Sequence, residues 1–232
     1  MGETMQAPSA AAEHARRHWL VDFSVRMIRT KPLGTVCGIL LLLLMAVSIF
    51  AEVLAPYQYD LIRLQDILQA PSAKHILGTD HVGRDLLSRI IHGARISLLV
   101  VFSATFINLL VALLVGGTTG FLGGKLDLAV QRFVDAWIAF PGLLLLLTIM
   151  SVVGQGLLQI IVVLGVTGGI GGSRVVRSAV VAIKENDYFL AAPAVGTPTS
   201  QILIRHVLPN IAAPIIIIFS INIGGVIMAE AS

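Results

Sequence analysis

The chain has 232 residues, 56% of them hydrophobic and only 12% charged, against about 25% charged in a soluble domain. A formal net charge of +3 is too small to point to nucleic acid, and the single cysteine, Cys37, excludes an intrachain disulfide framework. The apolar mass is mostly Leu, Ile, Val and Ala, which suits helices packed in lipid.

In chain order, residues 1–32 read as a tail. The apolar run that follows starts too late and runs too long for a signal peptide, and no small-residue cleavage site is evident, so it reads as a retained anchor. His14 and His18 stand four apart in this tail but do not make a metal site. A crossing needs about 20 apolar residues. Leu33 to Ala51 is the first candidate span, with Cys37 as a small packing residue. Glu52 to Arg95 is a polar loop. At its end Leu87, Ile91, Ala94 and Leu98 fall at helical spacing, with Asp85, Arg89 and His92 on another face. That pattern predicts an amphipathic helix lying at the interface, steadied by an Asp85–Arg89 pair at i, i+4.

Ile96 to Gly124 is the second span. Gly116, Gly120 and Gly124 sit four apart on it, a spacing that allows close helix packing. Gly123-Gly124-Lys125 looks like the tail of a phosphate loop, but Leu126 stands where Ser or Thr is required. Ala136 to Ser173 is uncharged and too long for one crossing, so Gly154-Gln155-Gly156 is expected to turn it into the third and fourth spans. Asp135, at the inner end of the third, is either functional or a topological anchor paired with Arg132. Pro141 with Gly142 should kink that helix. Val207 to Ala229 is the fifth span. Helices are the only practical solution, because lipid offers no partners to free backbone groups.

Lysine and arginine set the orientation. With the N-terminus in the cytosol, eleven basic residues fall inside and five, Arg63, Lys74, Arg84, Arg89 and Arg95, fall outside. The segment from Tyr188 to His206 is then cytosolic. Asn186 or Asp187 can cap a helix from Tyr188 to Val195, Gly196 can end it, and Thr197 with Pro198 can start a second. Ala191 and Ala192 give it a flat face. This is either an ordinary interhelical loop or a bent elbow offered to another protein's groove.

Four blocks of residues resemble one family, the oligopeptide/dipeptide/nickel permeases of ABC importers, and its second, "C"-type member. They are His75-Ile-Leu-Gly-Thr-Asp80 through Gly83-Arg84-Asp85, Arg89 and Gly93–Leu98; Arg132–Asp135 through Ala139–Leu143; Tyr188, Ala191, Ala192, Ala194, Gly196, Ile202, Arg205, His206, Leu208, Pro209 and Asn210; and Met228–Ser232. The resemblance implies an all-α polytopic bundle of the type I importer fold with five of six spans present. It divides the chain into a cytosolic tail 1–32, a first span and extracytoplasmic loop 33–95, and a permease core 96–232. The core holds a cytosolic coupling segment at 185–206 and is expected to be truncated before a sixth span.

The family likeness makes Tyr188, Leu190, Ala191, Ala192, Gly196, Arg205 and His206 the ATPase-coupling residues. Gly78, Thr79, Asp80, Gly83, Arg84, Asp85 and Arg89 become the extracytoplasmic loop or gate. Gly116, Gly120, Gly124, Asp135 and Pro141 become pore-lining or packing residues. Where the family usually has Glu and Arg around the paired alanines, this chain has Leu190 and Pro193, which puts the docking geometry in question. The implied partners are a homologous permease, two cytosolic ABC ATPases, an extracytoplasmic solute-binding protein and the bilayer. The implied home is a bacterial inner membrane. No catalytic residue or metal is expected in the chain, and ATP with magnesium belongs to the ATPases. Peptides are the expected cargo. The alternatives are an ATP-independent secondary transporter, motivated by helix interruptions at Gly154 and Gly165–Gly172, or a non-functional truncated permease.

Overall fold

A computed structural model describes residues 26–154, 156–185 and 208–230. The regular structure among them is helical, apart from one isolated antiparallel bridge between Thr79 and Asp85. By contact the chain divides into two compact units, Met1–Arg95 and Ile96–Ser232.

In the first unit, α1 (Pro32–Ile49) begins with proline at its first turn, where a missing N–H costs nothing. Of its 18 residues only Ser48 is buried, and Leu33, Leu40, Leu42 and Leu43 are exposed, as lipid-facing side chains must be. Cys37 is exposed as well, so it is not the packing residue expected. A short α2 (Ala51–Leu54) and a 3-10 turn at Leu64–Asp66 lead into a polar loop.

The helix expected to lie at the interface is not a separate element. It is the first part of α3 (Leu86–Ala112), which runs without a break into the second span. Nothing between Arg95 and Ile96 interrupts a helix, and Gly93 costs only about 1 kcal/mol inside one. A π-helical turn, Leu113–Gly117, joins α3 to α4 (Thr118–Leu122). Gly123 and Gly124 then take φ of 66° and 63°. Gly124 therefore opens α5 (Gly124–Ala139) and does not sit on the second span with Gly116 and Gly120.

Between α5 and α6 (Gly142–Val153) the axis bends by 94°. Phe140 and Pro141 are extended there, because the residue before a proline is pushed out of the helical region. The kink expected at Pro141-Gly142 is thus a full break. Gly154, at φ 93°, closes α6, and α7 (Leu157–Lys184) follows as an unbroken 28-residue helix. The interruption expected at Gly165–Gly172 is absent, which removes that support for a secondary transporter. α8 (Leu208–Glu230) carries Pro214 in its interior. Among the described residues four helices are long and apolar enough to cross a membrane, or five if the bent α5–α6 pair is one span.

In the second unit α7 is the hub. Gly165, Gly169 and Ser173, four apart, face α3 and the π turn. A Cβ at Gly165 would lie 2.6 Å from the Ile107 side chain, and one at Gly169 would lie 2.7 Å from the Asn108 carbonyl oxygen. Small residues bring the two backbones this close. From the other side, a Cβ at Gly120 would lie 3.0 Å from the Arg177 carbonyl oxygen. Two apolar clusters follow: Val100, Val101, Ala104, Ile161, Leu164 and Val226, and then Ala112, Val176, Val180 and Ile211. Ser97 Oγ donates to Glu230 Oε2 at 3.0 Å, joining the start of the core to the end of α8.

Candidate functional site

In the first unit, the loop before α3 is organised by three buried carboxylates, Asp66, Asp80 and Asp85. Asp80 Oδ1 accepts the backbone N–H groups of Val82 (3.0 Å) and Arg84 (2.9 Å), while Oδ2 accepts Arg84 Nε (2.8 Å) and Arg89 Nη1 (2.7 Å). Gly83 closes this turn at φ 78°, and any side chain there would run into the Arg63 carbonyl oxygen. Asp85 caps α3: its Oδ2 accepts Ser88 N–H (2.9 Å) and the Ser88 hydroxyl (2.8 Å). Its other oxygen faces His75 Nδ1 at 2.9 Å. The imidazole is 1% exposed, stacks near Tyr57 and presents Nε2 to Asp66 at 3.5 Å. Lys74 Nζ donates to both Asp66 oxygens at 2.9 Å, and the Thr79 hydroxyl donates to the Asp66 carbonyl.

All seven residues predicted for this loop, Gly78, Thr79, Asp80, Gly83, Arg84, Asp85 and Arg89, therefore share one folded motif. The Asp85–Arg89 side-chain pair expected from spacing does not form. Arg89 goes to Asp80 because Asp85 is taken up by the helix cap and the histidine.

The carboxylates give this motif a pH dependence. The Lys74 ammonium holds the Asp66 carboxyl below its ordinary value. For Asp80, burial pushes upward, but the Arg84 and Val82 N–H groups and the Arg84 guanidinium outweigh it and hold the carboxyl well below the usual range. For Asp85, burial is likewise outweighed by His75 and Ser88. Groups with depressed pKa stabilise the fold fully above the unfolded carboxylate value, about 3.9, and lose that contribution as pH falls through the folded values. Hydrogen-exchange protection of residues 64–88 is thus expected to be flat from pH 7 to about 5 and to fall below about 4. Protection that rises on acidification would contradict this account.

In the second unit, α3, α5, α6, α7 and α8 line an open-sided cavity of about 590 Å³, in the range of small-molecule sites. Its walls are apolar, with Trp137, Phe140 and Met228 among them. Asn108, Thr167 and Asn222 supply the polar side chains, and no charged residue lines it.

A second cleft of about 360 Å³ lies between α5 and α7 and is charged. Asp127 accepts Arg177 Nε (2.6 Å) and Nη2 (2.5 Å) in a two-pronged pair. Asp135 pairs with Arg174 and, at 3.5 Å, with Arg132. Lys184 Nζ donates to the Phe121 carbonyl at 2.7 Å, a cation at the C-terminal end of α4.

The cavity and the charged cleft fall mostly within residues 108–232, which match the family described as "Binding-protein-dependent transport system inner membrane component". Residues 23–71 match "N-terminal TM domain of oligopeptide transport permease C". The chain belongs to this family of transport permeases.

Among curated relatives, the oligopeptide transport system permease protein OppC of Bacillus subtilis (strain 168) is 34% identical over 203 residues, 88% of this chain and 67% of that one. The dipeptide transport system permease protein DppC of the same strain is 34% identical over 206 residues, covering 89% and 64%. The glutathione transport system permease protein GsiD of Pectobacterium atrosepticum is 33% identical over 219 residues, covering 91% and 70%. The chain thus spans about two thirds of the length of these relatives. With its several spanning helices, this permease is a multi-pass inner-membrane protein, and its relatives are named as transport subunits.

The predicted coupling residues Tyr188, Leu190, Ala191, Ala192, Gly196, Arg205 and His206 lie outside the described residues. Of the predicted core residues, Gly116 and Gly120 stand against α7, Asp135 stands in the charged cleft, and Pro141 sits at the α5–α6 break. Sequence reading missed Asp66, His75, Asn108, Asn222, Asp127 and Arg177 as site residues. For the two asparagines the signal was present: each is a carboxamide inside an uncharged span.

Proposed function

We propose that the permease is one of a pair of membrane subunits of an ATP-driven importer, and that it passes short peptides or related small solutes. The observation that carries this reading is the uncharged cavity of about 590 Å³ among α3, α5, α6, α7 and α8, in the part of the chain that matches the transport family. A space of that size, apolar with a few carboxamides and hydroxyls, suits a small amide-bearing solute and gives an ion no counter-charge.

In this reading a homologous permease faces the cavity, and an extracytoplasmic binding protein delivers the solute. Two cytosolic ATPases carry ATP and magnesium. The N-terminus is cytosolic, and Tyr188 to His206 is the elbow that an ATPase groove grips. The elbow must prefer one state of the ATPase pair over the other, since a partner with equal affinity for both shifts nothing.

The test is uptake of a labelled tripeptide by cells producing the whole system. Uptake is expected to stop on ATP depletion and to survive an uncoupler when ATP is maintained; the reverse pattern would refute the reading. In the same system Gly196→Leu is expected to weaken co-purification of the ATPases about tenfold, the loss typical of a central anchor in a groove. An unaltered ATPase yield would remove the elbow from the mechanism.

A further inference from the structure

The core between α3, α7 and α8 is mostly apolar, and midway along it polar side chains gather. Asn108 is 2% exposed and Thr105 1% exposed, and Asn222 lies half-buried opposite them. The Thr105 hydroxyl has no hydrogen-bond partner among the described residues. Burying such a group unpaired is expensive, and native interiors seldom do it.

The two asparagines also stand at the wall between two spaces. Both line the cavity of about 590 Å³, and both line a smaller one of about 10 Å³ that adds Thr105, about the room for one water. Gly168 sets where the Asn108 amide lies, because any Cβ there would collide with Nδ2. The backbone itself thus leaves room for a polar group at the centre of an apolar bundle.

We infer that Asn108 and Asn222, with Thr105 behind them at the smaller space, form a hydrogen-bonding station that reads the backbone amides of the solute crossing the cavity. Each carboxamide offers two donors and an acceptor, and the hydroxyl offers both roles. The two carboxamides together can complement a peptide N–H and C=O on adjacent units. No charged side chain lines either space, so recognition here is confined to neutral hydrogen-bonding groups. A solute lacking an N–H leaves the station's acceptors unpaired, which is the condition under which a polar site rejects an analogue strongly. The inference rests on the importer reading above.

The experiment measures, in the same cells producing the whole transport system, uptake of labelled Ala-Ala-Ala and of its analogue in which one amide is an ester. Both solutes are counted together, so the amount of complex cancels from their ratio. The unchanged chain is expected to favour the amide. Asn108→Leu and Asn222→Leu are each expected to lower the amide-to-ester ratio about five- to tenfold, the scale set by losing one or two neutral hydrogen bonds. Should Asn108→Leu fail to accumulate in the membrane, Asn108→Ser shortens the amide at lower risk, and a threefold or greater fall in the ratio counts as support. Ratios that stay within twofold of the unchanged chain in all variants overturn the station while leaving the importer intact. Absence of uptake of either solute by the unchanged chain overturns the importer reading, and the station with it.

Discussion

Gly116→Ala is expected to lower the stability of the permease by about 3 kcal/mol, the upper part of the range for overpacking a tight interior. A Cβ at this position would run into the Ser173 carbonyl oxygen and would lie 2.9 Å from Val176 Cβ and 3.0 Å from the Arg177 amide nitrogen. Two of those three atoms are backbone of α7, which cannot swing aside as a side-chain tip can. Ser173 and Val176 are 0% and 1% exposed, so the neighbours have nowhere to go, and Gly116 itself lies in the π turn. The matched control is Gly117→Ala, one residue on in the same turn, where a Cβ meets nothing within 4 Å. That change is expected to be neutral or slightly stabilising, since alanine favours helix. Thermal unfolding of the detergent-purified chain, followed by tryptophan fluorescence, should show a drop of about 6–12 °C for Gly116→Ala and almost none for Gly117→Ala. Equal shifts would mean that the α7 contact is not what keeps position 116 small.

The same pair of positions marks the limit of what the sequence disclosed. Long uncharged runs gave the spans, because a bilayer imposes one length and one backbone solution. The Gly154–Gly156 turn and the Pro141-Gly142 break followed from residues whose backbone restrictions are local. Spacing alone put Gly124 with Gly116 and Gly120, but the positive φ at Gly123 and Gly124 turns the chain before that face continues. The polar face of Asp85, Arg89 and His92 suggested a helix apart from the span, yet a helix stops for a breaker, and none is there. The site residues were hardest to read. Asp127 meets Arg177 from 50 positions away, and Asn108 and Asn222 come together only as walls of the same two cavities. Such pairings have no signature in spacing. What the sequence does show is a carboxamide inside an uncharged run, and at Asn108 and Asn222 that feature marks the station proposed above.

The second large effect concerns the rungs between α5 and α7. Removing one member of a buried ion pair typically costs 3–5 kcal/mol, because the other charge is left without a partner. In the Asp127–Arg177 pair the Asp127 side chain is 11% exposed and the Arg177 side chain 34%. Solvent reaches the guanidinium, and the cost of Asp127→Ala is expected at about 2 kcal/mol. The Asp135–Arg174 rung is 41% and 46% exposed, so Asp135→Ala should cost no more than about 1 kcal/mol. The ranking follows from burial alone and not from contact distance. Charge reversal separates attraction from packing: the double change Asp127→Arg with Arg177→Asp should recover at least half of what either single reversal loses, as a double-mutant cycle would measure. If the two alanine substitutions cost the same, or if the swap recovers nothing, the pair is not an electrostatic fastening. α7 ends at Lys184, at the edge of the segment proposed to meet the ATPases. A strong fastening of α5 to α7 would then make the broken α5–α6 helix move with that segment, carrying the Trp137 and Phe140 walls of the cavity with it. Loss of the fastening should therefore reduce solute uptake more than it reduces ATPase co-purification, and a fall in co-purification of equal size would place the defect in docking instead.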